Sequence, residues 1–214
     1  MDSIYTSLDF PAQTRKSAIS KEQGEYIYQF LQGKTISRTL ETGLGCGCSA
    51  AYILSATRAP HIAIDPYQEA YENIGIRNIE KLGLQGRLEW IKLSSDVALP
   101  QLLSSGVKVD FAFIDGGHLF DQIFVDWHYI SRLLNRNGHV MFHDTFLMST
   151  RALKSFIRTN RKDFREIPCD DLNISVFEKV GKDERKWNHF EPFSSGGIDA
   201  SQWLRWAAKN KPTG

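Results

Sequence analysis

Leu40-Glu41-Thr42-Gly43-Leu44-Gly45-Cys46-Gly47-Cys48-Ser49-Ala50 follows a short apolar segment and leads into a helix-like one. Three glycines at every second position, an acid before them and a hydroxyl after them describe a tight strand-to-helix turn, where side chains would block a ligand approaching the backbone. A dinucleotide site would normally read G-x-G-x-x-G, with a pyrophosphate against the helix N-terminus. Here the pattern is G-x-G-x-G behind Glu41, and a carboxylate beside the ligand suits a cationic group better than a phosphate. Such turns also occur as plain loops, so the next element decides. His61-Ile62-Ala63-Ile64-Asp65-Pro66 reads as a short buried strand ending in an acid, roughly 20 residues past the glycines, where doubly wound folds take both ribose hydroxyls. Asp-Pro also favours an ordinary turn; its pairing with the glycine run tips Asp65 toward ribose.

Composition fits a small-molecule site. A chain of 214 residues suits one domain with a sizeable core. A formal charge of +1 argues against a generally basic nucleic-acid surface. There is no long apolar run, and Met1-Asp2-Ser3-Ile4-Tyr5 lacks a basic region followed by an apolar core. The expectation is a cytoplasmic protein with neither nucleic-acid nor membrane partners. Cys46, Cys48 and Cys169 contain no C-x-x-C pair, so neither a disulfide framework nor a zinc ribbon is indicated, and the first two read as packing residues.

Helix-like and strand-like segments alternate as a parallel α/β sheet requires. Ser20-Lys21-Glu22-Gln23 matches a capping box opening a helix to about Gln32, before a first strand at Arg38 to Thr42. Helices are predicted at Ser49 to Thr57, Tyr67 to Lys81, Asp96 to Leu103 and Ser149 to Thr159, with strands at Arg87 to Leu93, Val109 to Asp115 and His139 to Phe142. Leu119, Phe120, Ile123, Phe124, Trp127, Ile130 and Leu134 recur at three- and four-residue spacings, giving a helix with one apolar face. Asp163 to Ile167 and Asn173 to Lys179 read as two final strands, antiparallel through the turn at Pro168-Cys169-Asp170-Asp171.

Functional residues of α/β sheets gather at the carboxyl ends of strands. Those ends are Glu41, Asp65, the Ser94-Ser95-Asp96 cluster, Asp115 with His118, and His143-Asp144. Five successive strands ending in polar or acidic residues mark one sheet edge as a site.

The glycine run behind Glu41, with Asp65 after the second strand, resembles motif I and the following acid of the class I S-adenosylmethionine-dependent methyltransferases. The resemblance covers about residues 20 to 180. It implies an α/β, Rossmann-like seven-stranded sheet of order 3-2-1-4-5-7-6, strand seven antiparallel, with helices on both faces. It divides the chain into an N-terminal arm (1–18), a methyltransferase domain (19–180) and a C-terminal extension with a short helix (181–214). It also implies that S-adenosylmethionine is held by Glu41, Gly43, Gly45, Gly47, Ser49, Asp65, Ser94, Ser95, Asp96 and Asp115. Glu41 and Ser49 would face the methionyl end, Ser49 taking its carboxylate with the helix amides. Asp65 would face the ribose, Ser94 to Asp96 the adenine and Asp115 the methyl group. Ser95 or Asp96 equally reads as a cap of the next helix.

Asp115-Gly116-Gly117-His118 and His143-Asp144-Thr145 resemble the small-molecule O-methyltransferases with catechol-like or sugar acceptors, of the family 24 type. In the metal-dependent members an acid after strand four and two adjacent ligands after strand five hold magnesium, which maps onto Asp115, His143 and Asp144. An imidazole at His143 departs from magnesium's preference for oxygen and suits manganese, iron or zinc better. Without a metal, His143 is a base or a structural hydrogen-bonding group. His118 stands where catechol-type relatives carry a lysine base, and an imidazole there takes a proton near neutral pH; a histidine packed at a helix start is the plainer alternative. The implied reaction is in-line attack of an acceptor hydroxyl on the sulfonium methyl, with His118, Asp115 and His143 as catalytic residues. An N-methyltransferase, or a nucleotide-binding module without methyl transfer, is the alternative. Acceptor specificity is expected in the termini, where Trp203 and Trp206 on a short helix either wall the acceptor, contact a second copy in a homo-oligomer, or dock on their own domain.

Overall fold

A computed structural model describes residues 2–12, 15, 18–169 and 173–194. Seven strands form one sheet: β1 (Thr39–Thr42), β2 (His61–Ile64), β3 (Leu88–Ile91), β4 (Val109–Ile114), β5 (Leu134–Phe142), β6 (Phe164–Ile167) and β7 (Ser175–Lys179). Their order is β3-β2-β1-β4-β5-β7-β6, as the family resemblance implied. β7 runs antiparallel to both β5 and β6, and the other neighbouring pairs are parallel. The register sets Thr42 level with Ile64 and Ile114, and Ile114 level with Phe142. Gly43, Asp65, Asp115 and His143 therefore leave the sheet side by side at one edge.

Alternation along the central strand explains the layers, because successive side chains point to opposite faces. Phe111 and Phe113 enter one core with α1 (Asp2–Ser7), α2 (Lys21–Leu31), α3 (Cys48–Ala56) and α4 (Ile74–Lys81). Ala112 and Ile114 enter the other with α5 (Ser95–Ser104), α6 (Phe120–Leu133) and α7 (Met148–Asn160). The Ser20 capping box forms as predicted, with Ser20 Oγ accepting from Gln23 N and Gln23 Oε1 accepting from Ser20 N. No helix among the described residues is long and apolar enough to cross a membrane.

Three elements differ from the sequence expectation. The helix predicted from Tyr67 to Lys81 is a 3₁₀ turn (Gln68–Tyr71), then Glu72 and Asn73 in left-handed backbone, then α4. Gln68 causes the break, since its buried amide group is bonded to Gly45, Asp65 and Gly75 instead of facing outward from a continuous helix. β5 begins at Leu134 and pairs with β4 across a register shift between Val109 and Phe111, a bulge that apolar periodicity does not reveal. α1 lies in the arm, where no helix was expected. Asn78, fully buried on α4, secures that arm by bonding Asp9 N and Asp9 O while also donating to Cys46 O. The expected helix with Trp203 and Trp206 lies outside the described residues.

One charge is buried in α6. Asp126 is 1% exposed, and burial pushes its carboxyl up to about 6. The Ser95 and Thr42 hydroxyls beside it pull the other way but stand outside strict hydrogen-bonding geometry. At about 1.4 kcal/mol per pKa unit, ionised Asp126 costs the fold about 3 kcal/mol. Because the folded state holds this proton more tightly than the unfolded state, stability falls as pH rises from the unfolded value of 3.8 to about 6. Asp126→Asn is therefore expected to raise the urea midpoint at pH 7.5, by about 1–3 kcal/mol in unfolding free energy, and to give no gain near pH 4. An equal effect at both pH values would show that the carboxylate charge is not the cause.

Candidate active site

The glycine turn after β1 is shaped by close approach. A Cβ on Gly43 (φ +87°) would lie 2.4 Å from Asp115 O, and one on Gly47 (φ +74°) 2.7 Å from Gly75 O. Above Gly45 there is open space, the floor of a cavity of about 620 Å³. Asp65 holds this turn open: its Oδ2 accepts from Leu44 N (3.1 Å), Gly45 N (2.9 Å) and Gln68 Nε2 (2.9 Å), and its Oδ1 from Tyr67 N (2.7 Å). Most of its accepting capacity is thus spent on its own chain, although Asp65 also lines the cavity. Gln68, which sequence reasoning passed over as one turn of an ordinary helix, spans the same gap from Gly45 O to Gly75 N.

Gly43, Gly45, Ser49, Asp65, Ser94, Ser95, Asp96 and Asp115 all line this cavity. Two expected ligand contacts do not. Gly47 sits behind the wall as the left-handed residue preceding α3, where it packs on Gly75. Glu41 is fully buried one layer back, accepting a 2.6 Å bond from Ser49 Oγ and lying 3.3 Å from His61 Nε2. It points into the protein because a β1 side chain at that register faces α3. Ser49, with its hydrogen given to Glu41, offers the cavity lone pairs, so a ligand carboxylate would be left to the amides at the start of α3. Ser94 occupies the cap position of α5, but its side chain makes no capping bond. Ala18, Ile19, Tyr67, Tyr71, Asp121 and Gln122 also contribute; they come from the arm, the 3₁₀ turn and the start of α6, which carried no motif.

At the far end stands a cluster of two carboxylates and two imidazoles. His143 Nδ1 donates to Asp115 Oδ1 at 2.8 Å and lies 3.5 Å from Asp144 Oδ1. His118 Nδ1 is 2.7 Å from Gly116 O, and its Nε2 is 2.5 Å from Asp144 Oδ2. A carbonyl and a carboxylate only accept, so both nitrogens of His118 carry hydrogen and the ring is an imidazolium. Its pKa is accordingly raised, chiefly by the bond to Asp144. Burial pushes Asp115 up, countered by His143. Burial would also push Asp144 up, but His118 and His143 outweigh it and hold that carboxyl low. His143 is raised because its bond to Asp115 and the neighbouring carboxylates outweigh burial.

Asp144 is held in left-handed backbone (φ +51°), which costs a non-glycine residue about 1–3 kcal/mol. Asn173, just before β7, secures it: Nδ2 donates to Asp144 Oδ1 (3.0 Å), and Oδ1 accepts from Thr145 Oγ1 (3.3 Å) and Phe146 N (3.2 Å). Sequence reasoning placed Asn173 only at a strand start, with no signal for its reach across the β5–β7 pairing.

Donor atoms of Asp115, His118 and Asp144 lie within 4.8 Å of one another. Oxygen and imidazole together fit a manganese, iron or zinc ion better than magnesium. His143, expected among the ligands, is not in that set, because its Nδ1 is turned onto Asp115 and its Nε2 is buried without a hydrogen-bond partner.

A family model described as a methyltransferase domain, family 24, matches residues 40–145, which contain the glycine turn, Asp65 and the four residues of the cluster. A caffeoyl-CoA O-methyltransferase from Populus kitakamiensis is 24% identical over 74% of this chain and 72% of its own length. Among solved structures, the O-methyltransferase TomG from Streptomyces achromogenes, in complex with S-adenosylmethionine, superposes with a TM-score of 0.66 at 16% identity, over 83% of this chain and 95% of that one. The O-methyltransferase from Bacillus cereus, in complex with S-adenosylhomocysteine, gives 0.65 at 16% identity, over 83% and 88%. With the strand order, the glycine turn and the acids at the strand ends in agreement, the chain has the fold of the class I S-adenosylmethionine-dependent methyltransferases and is similar to their O-methyltransferase members.

Proposed function

We propose that the chain binds S-adenosylmethionine in the cavity beside the glycine turn and transfers its methyl group to a hydroxyl of a small molecule. The observation that carries this proposal is the charge of the wall: Asp65, Asp96, Asp115 and Asp121 line it, and among the described residues no lysine, arginine or histidine does. A pyrophosphate would meet four carboxylates without a counter-charge, whereas a sulfonium and an ammonium gain from them. Ser49 and the α3 amides would take the methionyl end, Asp65 the ribose, and Ser94 to Asp96 the adenine. Asp115, shared between cavity and cluster, would stand at the methyl. Isothermal calorimetry is expected to show saturable binding of S-adenosylhomocysteine and none of NAD; the reverse pattern would eliminate the proposal.

The donor supplies a methyl group on a cationic sulfur that departs as a neutral thioether, so what the chain must provide is alignment and a place for the acceptor's proton. Gly116 O keeps Nδ1 of His118 protonated, so loss of one proton from this ring exposes Nε2 toward Asp144 and the acceptor side. Nε2 is thus the basic atom; its bond to Asp144 lasts only while it carries hydrogen, and the Nδ1–H bond to Gly116 O holds the neutral ring. Turnover is expected to rise with pH through a value above the ordinary imidazole 6.5, because the competent ring is the neutral one and Asp144 raises its pKa. His118→Ala should lower kcat by about 10²-fold or more and leave S-adenosylhomocysteine affinity nearly intact. A comparable loss of affinity would instead make His118 part of the donor site.

The Asp115–His118–Asp144 grouping favours a second reading, in which these residues would hold a divalent ion that would lower the pKa of the acceptor hydroxyl directly. Both roles use the same nitrogen, so His118 can serve only one of them at a time. Turnover insensitive to chelators, with no calorimetric signal for manganese or zinc, is expected for the base. Loss on chelation with recovery on manganese would establish the metal.

A further inference from the structure

Glu41 and His61 are paired in the interior, and methyl transfer as described above makes no direct use of either. Both side chains are fully buried, with His61 Nε2 3.3 Å from Glu41 Oε1. Neither atom has a hydrogen-bond partner among the described residues, their mutual approach falling outside hydrogen-bonding geometry. Thr39 Oγ1 is 2.8 Å from His61 Nδ1, and on the other side Ser49 Oγ is 2.6 Å from Glu41 Oε2. The sheet builds this line: Thr39 and Glu41 share one face of β1, and His61 is the register partner of Thr39 on β2. The line runs Thr39, His61, Glu41, Ser49, and only its last member reaches the cavity wall.

A carboxylate buried with a single hydroxyl donor is strongly penalised, and a second donor on the other oxygen offsets that penalty. His61 is the group placed to supply it, and it is the single polar side chain in a β2 otherwise made of Ile62, Ala63 and Ile64. With Glu41 kept in place as an acceptor, the Ser49 hydrogen is directed inward and its lone pairs toward the ligand, which suits an ammonium.

We infer that His61 is a positioning residue for the methionyl end of the methyl donor, acting through Glu41 on the orientation of the Ser49 hydroxyl. The inference rests on S-adenosylmethionine being the donor. It assigns His61 a selective effect on one end of the ligand, about a full strand pairing away from any direct contact.

Two ligands separate this role from general structural support: S-adenosylhomocysteine, and 5′-methylthioadenosine, which keeps the adenosine and thioether but lacks the amino-acid end. His61→Leu is expected to weaken S-adenosylhomocysteine by about tenfold, the scale of one hydrogen bond to a charged group, and to leave 5′-methylthioadenosine unchanged. His61→Gln, which retains an N–H for Glu41, should recover much of that loss. Equal weakening of both ligands, or an unaltered S-adenosylhomocysteine affinity, would overturn the inference. If His61→Leu does not fold, Glu41→Gln carries the same expectation, because it removes the acceptor charge that orients Ser49. A wild-type protein that binds neither ligand would instead remove the S-adenosylmethionine reading itself, and this inference with it.

Discussion

The carboxylate of Asp65 is the contact on which the rest of the site depends. A chain turning from strand to helix through three glycines has no side chains to stiffen it, and its exposed amides would otherwise be free to collapse onto the strand ends. Asp65 takes the amides of Leu44 and Gly45 on one oxygen, together with Gln68, and so ties the turn to the end of β2. Two further consequences follow in space. Gln68 is held where it interrupts the helix and reaches Gly75, and Gly75 packs against Gly47 at the start of α3. Asn78, one turn along α4, then bonds Cys46 O on the same loop and Asp9 in the arm, which places the arm's last residues at the cavity rim.

At the opposite end of the cavity the organising contacts are side chain to side chain. Asp115 and Asp144 stand just past the ends of the neighbouring strands β4 and β5, and each is matched by an imidazole, His143 for the first and His118 for the second. Pairing at 2.8 and 2.5 Å offsets charge that burial would otherwise penalise. The strained backbone of Asp144 persists because Asn173 reaches in from the adjacent antiparallel strand and holds three groups of the loop at once.

Much of this was readable from sequence because the relevant signals are local. Glycine spacing, an acid after a strand and short apolar runs report backbone geometry within a few residues, and they placed most strands and most of the cavity wall; the strand order came from the family resemblance. What stayed hidden required partners far along the chain. Glu41 carries the motif's acid, yet it faces inward beside His61, 20 positions on, which the sheet brings in as the register partner of Thr39. His143 looked like a ligand by position and is instead a donor to Asp115, since the direction of a ring nitrogen is set by tertiary contacts. Asn173, Gln68 and Asn78 are unremarkable amides in sequence; each matters because its two-ended side chain bridges backbone groups that only the fold brings together.

The charge layout of the cavity wall favours holding the donor more than it favours transfer. Under the proposed chemistry the carboxylates around the cavity attract a sulfonium, but methyl transfer disperses that positive charge, so their attraction lowers the ground state at least as much as the transition state. Such binding concentrates the donor without speeding the step. On the acceptor side the sign is reversed. An oxygen nucleophile gains as its proton departs, and a group that carries hydrogen toward Asp144 in one state and presents a bare Nε2 in the other responds to that change. Asp115 touches both regions, lining the cavity while bonded to His143. Its full negative charge would over-stabilise a nearby sulfonium, and the hydrogen bond from His143 tempers it. Under the proposed chemistry, the histidine that sequence position offered as a metal ligand would moderate the carboxylate nearest the reacting methyl.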